Sequence, residues 1–475
     1  MSNSRLAELD YFPDSALRFR ALLDKPWAAF LDSGCGGSVA GRYDILTADP
    51  YLTLTTRGET TEMRSRHAAT FSTRDPLELL AEALGERAPP VESLPFAGGA
   101  IGYLAYDLGR RFEKLPARAE HDIDMPELAI GLYDWAVVVD HVERRAWLVA
   151  RGRDDETLAR WPELLDSVQR YTGRPRAPFR VLSAIESSFD RNTYASAFAC
   201  VQDHIRAGDC YQINLTQRFR ARAQGDPWAA YLDLRRTNPA PYSAYLDFPF
   251  GQVLSSSPEC FLTLRGEHVE TRPIKGTRPR SADPVRDLAL AQALRASEKD
   301  RAENVMIVDL LRNDLGKCCL PGSIRAHPLF AVESFASVHH LVSTVSGRVA
   351  PDRHGVDLIR AAFPGGSITG APKLRAMQII EELEPHRRSV YCGCIGYLGF
   401  DRNMDLNIAI RTLVRCGEWI YAWAGGGVVA DSEVDAEYQE SLDKAAALLA
   451  ILRPEDAETW HAPPPDARDS PRATA

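Results

Sequence analysis

GCIGYLGFDRNMDLNIAIRTLVRCGEWIYAWAGGGVVADS, residues 393–432, holds three extended runs in succession. Gly393 to Phe400, Asp405 to Val414 and Trp419 to Ala424 are rich in β-branched and aromatic residues, and the turn-rich DRNM joins the first two. Runs connected this tightly form a meander, so the expected sheet is antiparallel. A long helix is expected after GGGVVADS, with Leu442, Ala445, Leu449 and Leu452 on its inner side. Working outward, Trp135–Asp140 and Arg145–Arg151 flank a polar turn and read as a hairpin. Tyr194, Phe198, Val201 and Ile205 fall at helical spacing between a cap at Asp190 and a stop at Gly208. CYQINLTQRF then alternates, with Tyr211, Ile213 and Leu215 on one face and Gln212, Asn214 and Thr216 on the other. Hairpin-joined sheets with helices outside them are an α+β class, and no βαβ glycine fingerprint is present.

The 475 residues, 45% apolar and 25% charged, have the balance of a soluble globular chain. A formal charge of −9 leaves no basic field for nucleic acid or an anionic membrane. No stretch reaches the roughly 18 uncharged apolar residues of a spanning helix, and MSNSRLAELDYFPDS has no basic-then-apolar leader, so a cytoplasmic protein is expected. Nine cysteines include the pairs Cys318/Cys319 and Cys392/Cys394, which match no zinc or redox spacing and read as buried thiols. YTGRPRAP, Tyr171 to Pro178, reads as a boundary between an N-terminal region, 1–175, and a region 183–455; HAPPPDARDSPRATA, 461–475, reads as a tail without fixed structure.

Two segments carry carboxylates three residues apart in expected helices, Asp300 with Glu303 and Glu437 with Glu440. Such pairs are either solvated or, opposed across a cleft, hard oxygen ligands for Mg²⁺. TRPIKGTRPR gathers Arg272, Lys275, Arg278 and Arg280 around Gly276. It is either a solvated basic loop or a site where neighbouring cations keep the lysine amine neutral and nucleophilic. The glycines of FPGGSITGAPK, YCGCIGYLG and AGGGVV allow backbone to approach a ligand, while GxxxxGK[ST] is not matched.

SSSPECFL, RPIKGTRPR, SEKDRAENVMIVDLLRNDLG, FPGGSITGAPK, GCIGYLGF, the IRT of Ile410–Thr412 and GGGVVADSEVDAEYQESLDKA occur in the order and spacing of the chorismate-utilising enzymes. From Ser183 to Leu452 the chain resembles this family, which includes anthranilate and aminodeoxychorismate synthase large subunits, isochorismate synthases and salicylate synthases. The resemblance implies two large antiparallel sheets sandwiched by helices. It puts Mg²⁺ on Glu303 and Glu440, supported by Asp300 and Glu437, and the substrate on His340, Thr369, Tyr391, Arg411, Lys444 and the amides of Gly425, Gly426 and Gly427. GGGV replaces a common GAGV. Gln212 stands where the water-activating members carry a general-base lysine. Lys275 replaces the alanine of the anthranilate synthases' PIAGT, and PIKGT marks the aminodeoxychorismate synthases. FLDSG, with Ser33, is similar to the segment lining a tryptophan pocket in the amino-transferring members.

The reaction so implied replaces the C4 hydroxyl of chorismate by ammonia with retention. A double displacement accounts for retention: Lys275 adds at C2 as the hydroxyl leaves, and ammonia then attacks C4 and expels the lysine. Glu259 is the expected general acid, which requires it protonated near neutrality. SGCGG, Ser33 to Gly37, lacks the context of a glutaminase nucleophile elbow, so ammonia is expected from a separate glutamine amidotransferase subunit. The rival readings are an anthranilate synthase large subunit and a catalytically idle binding member of the family.

Overall fold

The computed structural model describes residues 4–34, 41–91, 94–170, 176–335 and 338–454. The tail at 461–475, most of the boundary YTGRPRAP and Cys35–Gly37 of SGCGG lie outside them. Two antiparallel sheets dominate, one of thirteen strands and one of eleven, with a small third sheet of three strands. The first runs from Arg5–Leu9 through Arg145–Ala150, Trp135–Asp140, Tyr43–Thr47, Ala29–Asp32, Tyr242–Phe248, Gly251–Ser257, Thr412–Cys416 and Trp419–Val428 to Gln212–Gln224. The second places Cys260–Arg265, Met404–Asn407, Cys394–Gly399, Gly99–Leu104, Leu128–Tyr133 and Leu52–Arg57 side by side. Strands from before and after the boundary therefore share both sheets. Ala29–Asp32 pairs with Tyr242–Phe248, and Gly99–Leu104 with Cys394–Gly399.

The uniformly apolar WAVVV has a physical reason: its strand is buried on both faces. Ala136 and Val138 enter the core between the sheets with Ile101, Leu262 and Leu406. Trp135, Val137 and Val139 enter a second core under helices Ser15–Phe19, Trp161–Arg170, Pro227–Thr237 and Val434–Ile451. The expected hairpin forms in register, Arg145 opposite Asp140. The expected helix spans Arg191–Arg206, with a capping box at Asp190 and Gly208 at φ +79°.

Two expectations are corrected. The runs of 393–424 are not one meander. Cys394–Gly399 and Met404–Asn407 form a hairpin in the eleven-stranded sheet, whereas Thr412–Cys416 and Trp419–Val428 form one in the thirteen-stranded sheet. The run Asp405–Val414 breaks at Ile408–Arg411, where Arg411 adopts φ +51° and the chain crosses between sheets. Tyr211 does not share the buried face of Ile213 and Leu215: it precedes the strand Gln212–Gln224 and is 69% exposed. Gln212, Asn214 and Thr216, the supposed polar face, are buried.

Candidate functional site

Glu259 and Arg411 are brought together by two crossings. Pro258–Glu259 links Gly251–Ser257 of one sheet to Cys260–Arg265 of the other, and Ile408–Arg411 makes the second crossing beside it. The crossings are bonded to each other: Ile408 N–H donates to the Glu259 carbonyl (3.0 Å), Ser256 N–H to the Arg411 carbonyl (3.0 Å), and Ser257 Oγ to the Ile408 carbonyl (2.6 Å). Glu259 is 5% exposed, and burial pushes its carboxyl up to about 7, against the opposing pulls of the Ser367 hydroxyl and the Lys275 charge. Arg411 pairs with no carboxylate among the described residues, and dehydration lowers its pKa. A guanidinium in that state is a ready receptor for a substrate carboxylate.

Lys275 lies on the strand Ile274–Pro279 of the small sheet, where the register with Val338–Val342 slips between Ile274 and Thr277. Such a bulge re-aims a side chain. Gly276, at φ +84°, permits it; a Cβ there would lie 2.8 Å from Asp300 Cγ. The lysine amine is depressed, but not by the neighbours the sequence points to. Arg278 pairs with Asp300 (2.9 Å), Arg280 with Asp287 (2.9 Å) and Arg272 with Glu333. Dehydration in the cleft is the main cause, aided by the distant Lys444 and opposed by Glu303, Glu259 and Glu440.

His340 faces this strand, Nδ1 2.9 Å from Thr277 Oγ1, and burial together with the Arg411 charge pushes it down to about 4, so the ring is neutral. Tyr391 is buried and stacks on Trp423, centroids 5.8 Å apart and planes 6° from parallel. Thr369 is buried and donates to the Gly365 carbonyl (3.0 Å). Gly425, Gly426 and Gly427 do not form a loop: they sit in the strand Trp419–Val428 opposite Thr216, Leu215 and Asn214. Pairing on the other edge ends at Ala422 opposite Leu413, and among the described residues no strand covers that edge of the glycine run. Gln212 lies over Gly427, and both ends of its buried amide lack hydrogen-bond partners. An orphaned amide of this kind marks a place for a polar ligand.

The four carboxylates fall on two helices, Glu298–Gly316 and Val434–Ile451. Glu437 is buried, accepts from Ser432 Oγ (2.6 Å) and lies near Gly426, as does Glu440. Glu440 pairs with Lys444 (2.6 Å), whose Nζ also donates to the Gly425 carbonyl (3.1 Å). Glu303 and Glu437 are pushed up, first by burial and then by neighbouring carboxylates: Asp300 and Glu437 act on Glu303, and Glu440 on Glu437. Asp300 is engaged by Arg278. No three of these carboxylates draw ligand atoms within 4.8 Å of one another; among the described residues only Glu120, Asp122 and His386 do so. The donor chemistry nonetheless fits Mg²⁺, which takes one or two protein carboxylates and completes its shell with waters and substrate oxygens.

Ser33 is bonded elsewhere, donating through N and Oγ to Asp44 (2.8 and 2.7 Å). Its neighbours Leu31 and Asp32 line a separate cavity of about 350 Å³ with Tyr43, Tyr242 and Arg272. Two residues beside the site escaped the sequence reading. The Ser367 hydroxyl pulls the Glu259 carboxyl down, and Lys299 reaches within 4.0 Å of Glu437. Both lie inside quoted motifs, but no spacing rule singles them out.

A family profile described as chorismate binding enzyme matches residues 32–450. The chain belongs to the chorismate-binding enzyme family. Aminodeoxychorismate synthase component 1 of Klebsiella aerogenes is 48% identical over 456 residues, 95% of this chain and 100% of the relative. Anthranilate synthase component 1 of Streptomyces coelicolor is 42% identical, covering 80% of this chain and 78% of the relative. The crystal structure of anthranilate synthase component I from Streptococcus pneumoniae superposes with a TM-score of 0.77 at 32% identity, covering 88% of this chain and 94% of that one. The α+β sandwich of large antiparallel sheets flanked by helices is thus shared with this chorismate-binding enzyme. No helix among the described residues is long and apolar enough to cross a membrane.

Proposed function

We propose that this chain aminates chorismate at C4, forming 4-amino-4-deoxychorismate, as the large subunit of an aminodeoxychorismate synthase. The observation that carries the reading is Lys275, set on a bulge in the cleft with its amine depressed and in electrostatic reach of Glu259, Glu303 and Glu440. The 48% identity to an aminodeoxychorismate synthase component 1 along its full length supports the same choice. Arg411 receives a substrate carboxylate, and neutral His340, Thr369, Tyr391 and Gln212 surround the ring. The Lys275 amine bonds to C2, the two ring double bonds shift, and the C4–O bond breaks. Glu259 gives its proton to the departing hydroxyl, which leaves as water. The lysine nitrogen, cationic after bonding to carbon, returns a proton to the Glu259 carboxylate; ammonia then bonds to C4, the double bonds shift back, the C2–N bond breaks, and the proton that the new C4 ammonium gives up goes to the departing lysine nitrogen. Mg²⁺ held by Glu303 and Glu440, with Asp300 and Glu437 behind them, would neutralise the ring carboxylate and draw off negative charge.

Ammonia comes from a partner glutamine amidotransferase, and the product feeds 4-aminobenzoate and folate synthesis. Tryptophan is the candidate occupant of the cavity beside Asp32. The test is to incubate the pure chain with chorismate, Mg²⁺ and an ammonium salt and to separate the products with mass detection. Aminodeoxychorismate as the main product is expected. Fluorescent anthranilate instead would assign the C2-aminating reaction, and no product would return the chain to a binding role. With glutamine in place of ammonium, the chain alone is expected to be inactive.

A further inference from the structure

The strand Gln212–Gln224 backs the glycine run on one edge, and its other edge has a gap. On that edge Gln212 and Ile213 pair with Ala371 and Gly370, and Asn214 N–H donates to the Thr369 carbonyl (2.8 Å). Further along, Arg218 N–H donates to Ser188 Oγ (2.8 Å), and Phe219 and Arg220 pair with Ser187 and Glu186. Between them, at Thr216, no strand is present among the described residues. The carboxylate of Glu384 stands in: its Oε1 accepts from Thr216 N–H (3.0 Å) and Thr216 Oγ1 (2.8 Å). Arg388 locks it there. Nε donates to Glu384 Oε2 (2.9 Å) and Nη2 to Oε1 (2.6 Å), while Nη1 reaches the Ile368 carbonyl (2.8 Å) and Nη2 the Asn214 carbonyl (2.6 Å). Both side chains are almost wholly buried, at 5% and 2% exposure, and the guanidinium lies over the Tyr106 ring at 4.8 Å.

A buried ion pair is weak evidence for stability, because dehydrating two charges offsets most of their attraction. What this pair does is geometric. It ties Asn214 and Thr216, opposite Gly427 and Gly425, to Ile368, which precedes Thr369, and Tyr391 N–H bonds the Arg388 carbonyl (3.1 Å). We propose that Arg388 and Glu384 are positioning residues for the chorismate site, bridging a gap in the sheet so that Thr369, Tyr391 and the glycine run keep one register around the substrate. The inference rests on the chorismate-aminating reading above.

Arg388→Lys separates positioning from folding. The ammonium keeps the charge opposite Glu384 but cannot hold both carbonyls and the carboxylate at once. The full chain is assayed with chorismate, Mg²⁺ and ammonium, beside hydrogen–deuterium exchange of the chain without substrate. Expected are a folded variant with a KM for chorismate raised about tenfold, a smaller change in kcat, and faster exchange at 366–370 and 425–428 than in wild type. Glu384→Gln, which keeps an oxygen for Thr216, should show a smaller rise in KM. A folded Arg388→Lys with KM within twofold of wild type and unchanged exchange at those segments would overturn the proposal. So would an Arg388→Met chain that loses stability while its folded fraction keeps the wild-type KM. If wild type itself fails to turn over chorismate, the functional reading falls, and exchange alone still decides whether the pair holds these segments.

Discussion

Lys275 and Glu259 have opposite requirements that one cleft meets. Dehydration destabilises the charged form of each, so it lowers the lysine, favouring the neutral amine that can attack, and raises the carboxyl, favouring the protonated form that can donate. Lys275→Ala is expected to bind chorismate with little change but to slow amination or redirect it to another ring carbon, read by product analysis. An unchanged rate and an unchanged product would remove the covalent step. Glu259→Gln should lower turnover by roughly 10²–10⁴-fold. It should also alter stability in a signed way. Folding raises this carboxyl from 4.5 to about 7, so the folded state holds the proton more tightly. The stability this gives is complete below pH 4.5 and is lost as pH rises through 7. The variant, always neutral there, should lose that part of the pH dependence and melt higher than wild type at pH 8. Thermal scans at pH 5 and pH 8 check it: an equal wild-type advantage at both would mean that the carboxyl is not held protonated.

The glycine strand makes the element-scale case. Gly425 and Gly426 are adjacent, yet what a methyl group would meet differs. At Gly425 a Cβ would lie 2.2 Å from the Leu215 carbonyl oxygen, which is backbone and cannot move without breaking the register with Gln212–Gln224. At Gly426 it would lie 3.1 Å from Glu437 Oε2 and 3.5 Å from Glu440 Oε1, both ends of movable side chains. Gly425→Ala should therefore lower the melting temperature sharply, whereas Gly426→Ala should fold normally and weaken Mg²⁺ and chorismate binding. Equal losses of stability in both would contradict the assignment of Gly426 to the site. These elements also mark how far the sequence could be read. Lys275, Glu259 and the carboxylate pairs stand in contiguous motifs, so their identity was legible. The crossing at Ile408–Arg411 was not, since its residues are as apolar as a strand and a single φ of +51° at Arg411 redirects the chain. Glu384 and Arg388 stand four residues apart, a spacing common to many surface ion pairs, and what sets this pair apart, its bonds to Thr216, Asn214 and Ile368, lies elsewhere in the sequence.

Across the whole molecule, the sheets decide whether the C-terminal motifs can act alone. The motifs that carry the chorismate and Mg²⁺ residues all lie after Ser183, and the proline-bearing stretch near 171–178 reads as a natural cut. The pairing argues against independence. Removing residues 1–175 would strip Tyr242–Phe248 of Ala29–Asp32 and Cys394–Gly399 of Gly99–Leu104, leaving two long, apolar strands with bare edges in the middle of what were continuous sheets. It would also open the core between the sheets, since Ile101, Tyr103, Ile130 and Val138 pack there beside Leu262, Tyr397 and Leu406. Tyr397 and Cys394 belong to the strand that follows Tyr391, so the loss would reach the substrate pocket itself. The fragment 176–475 is therefore expected to aggregate or to melt without a cooperative transition, and to have no turnover with chorismate and ammonium. Co-expression with a separate chain of residues 1–175 should restore soluble, active protein, because the missing strands can be supplied in trans. A soluble fragment with one sharp melt and measurable amination would show that the motif-bearing region folds alone and that the shared strands add only a cover.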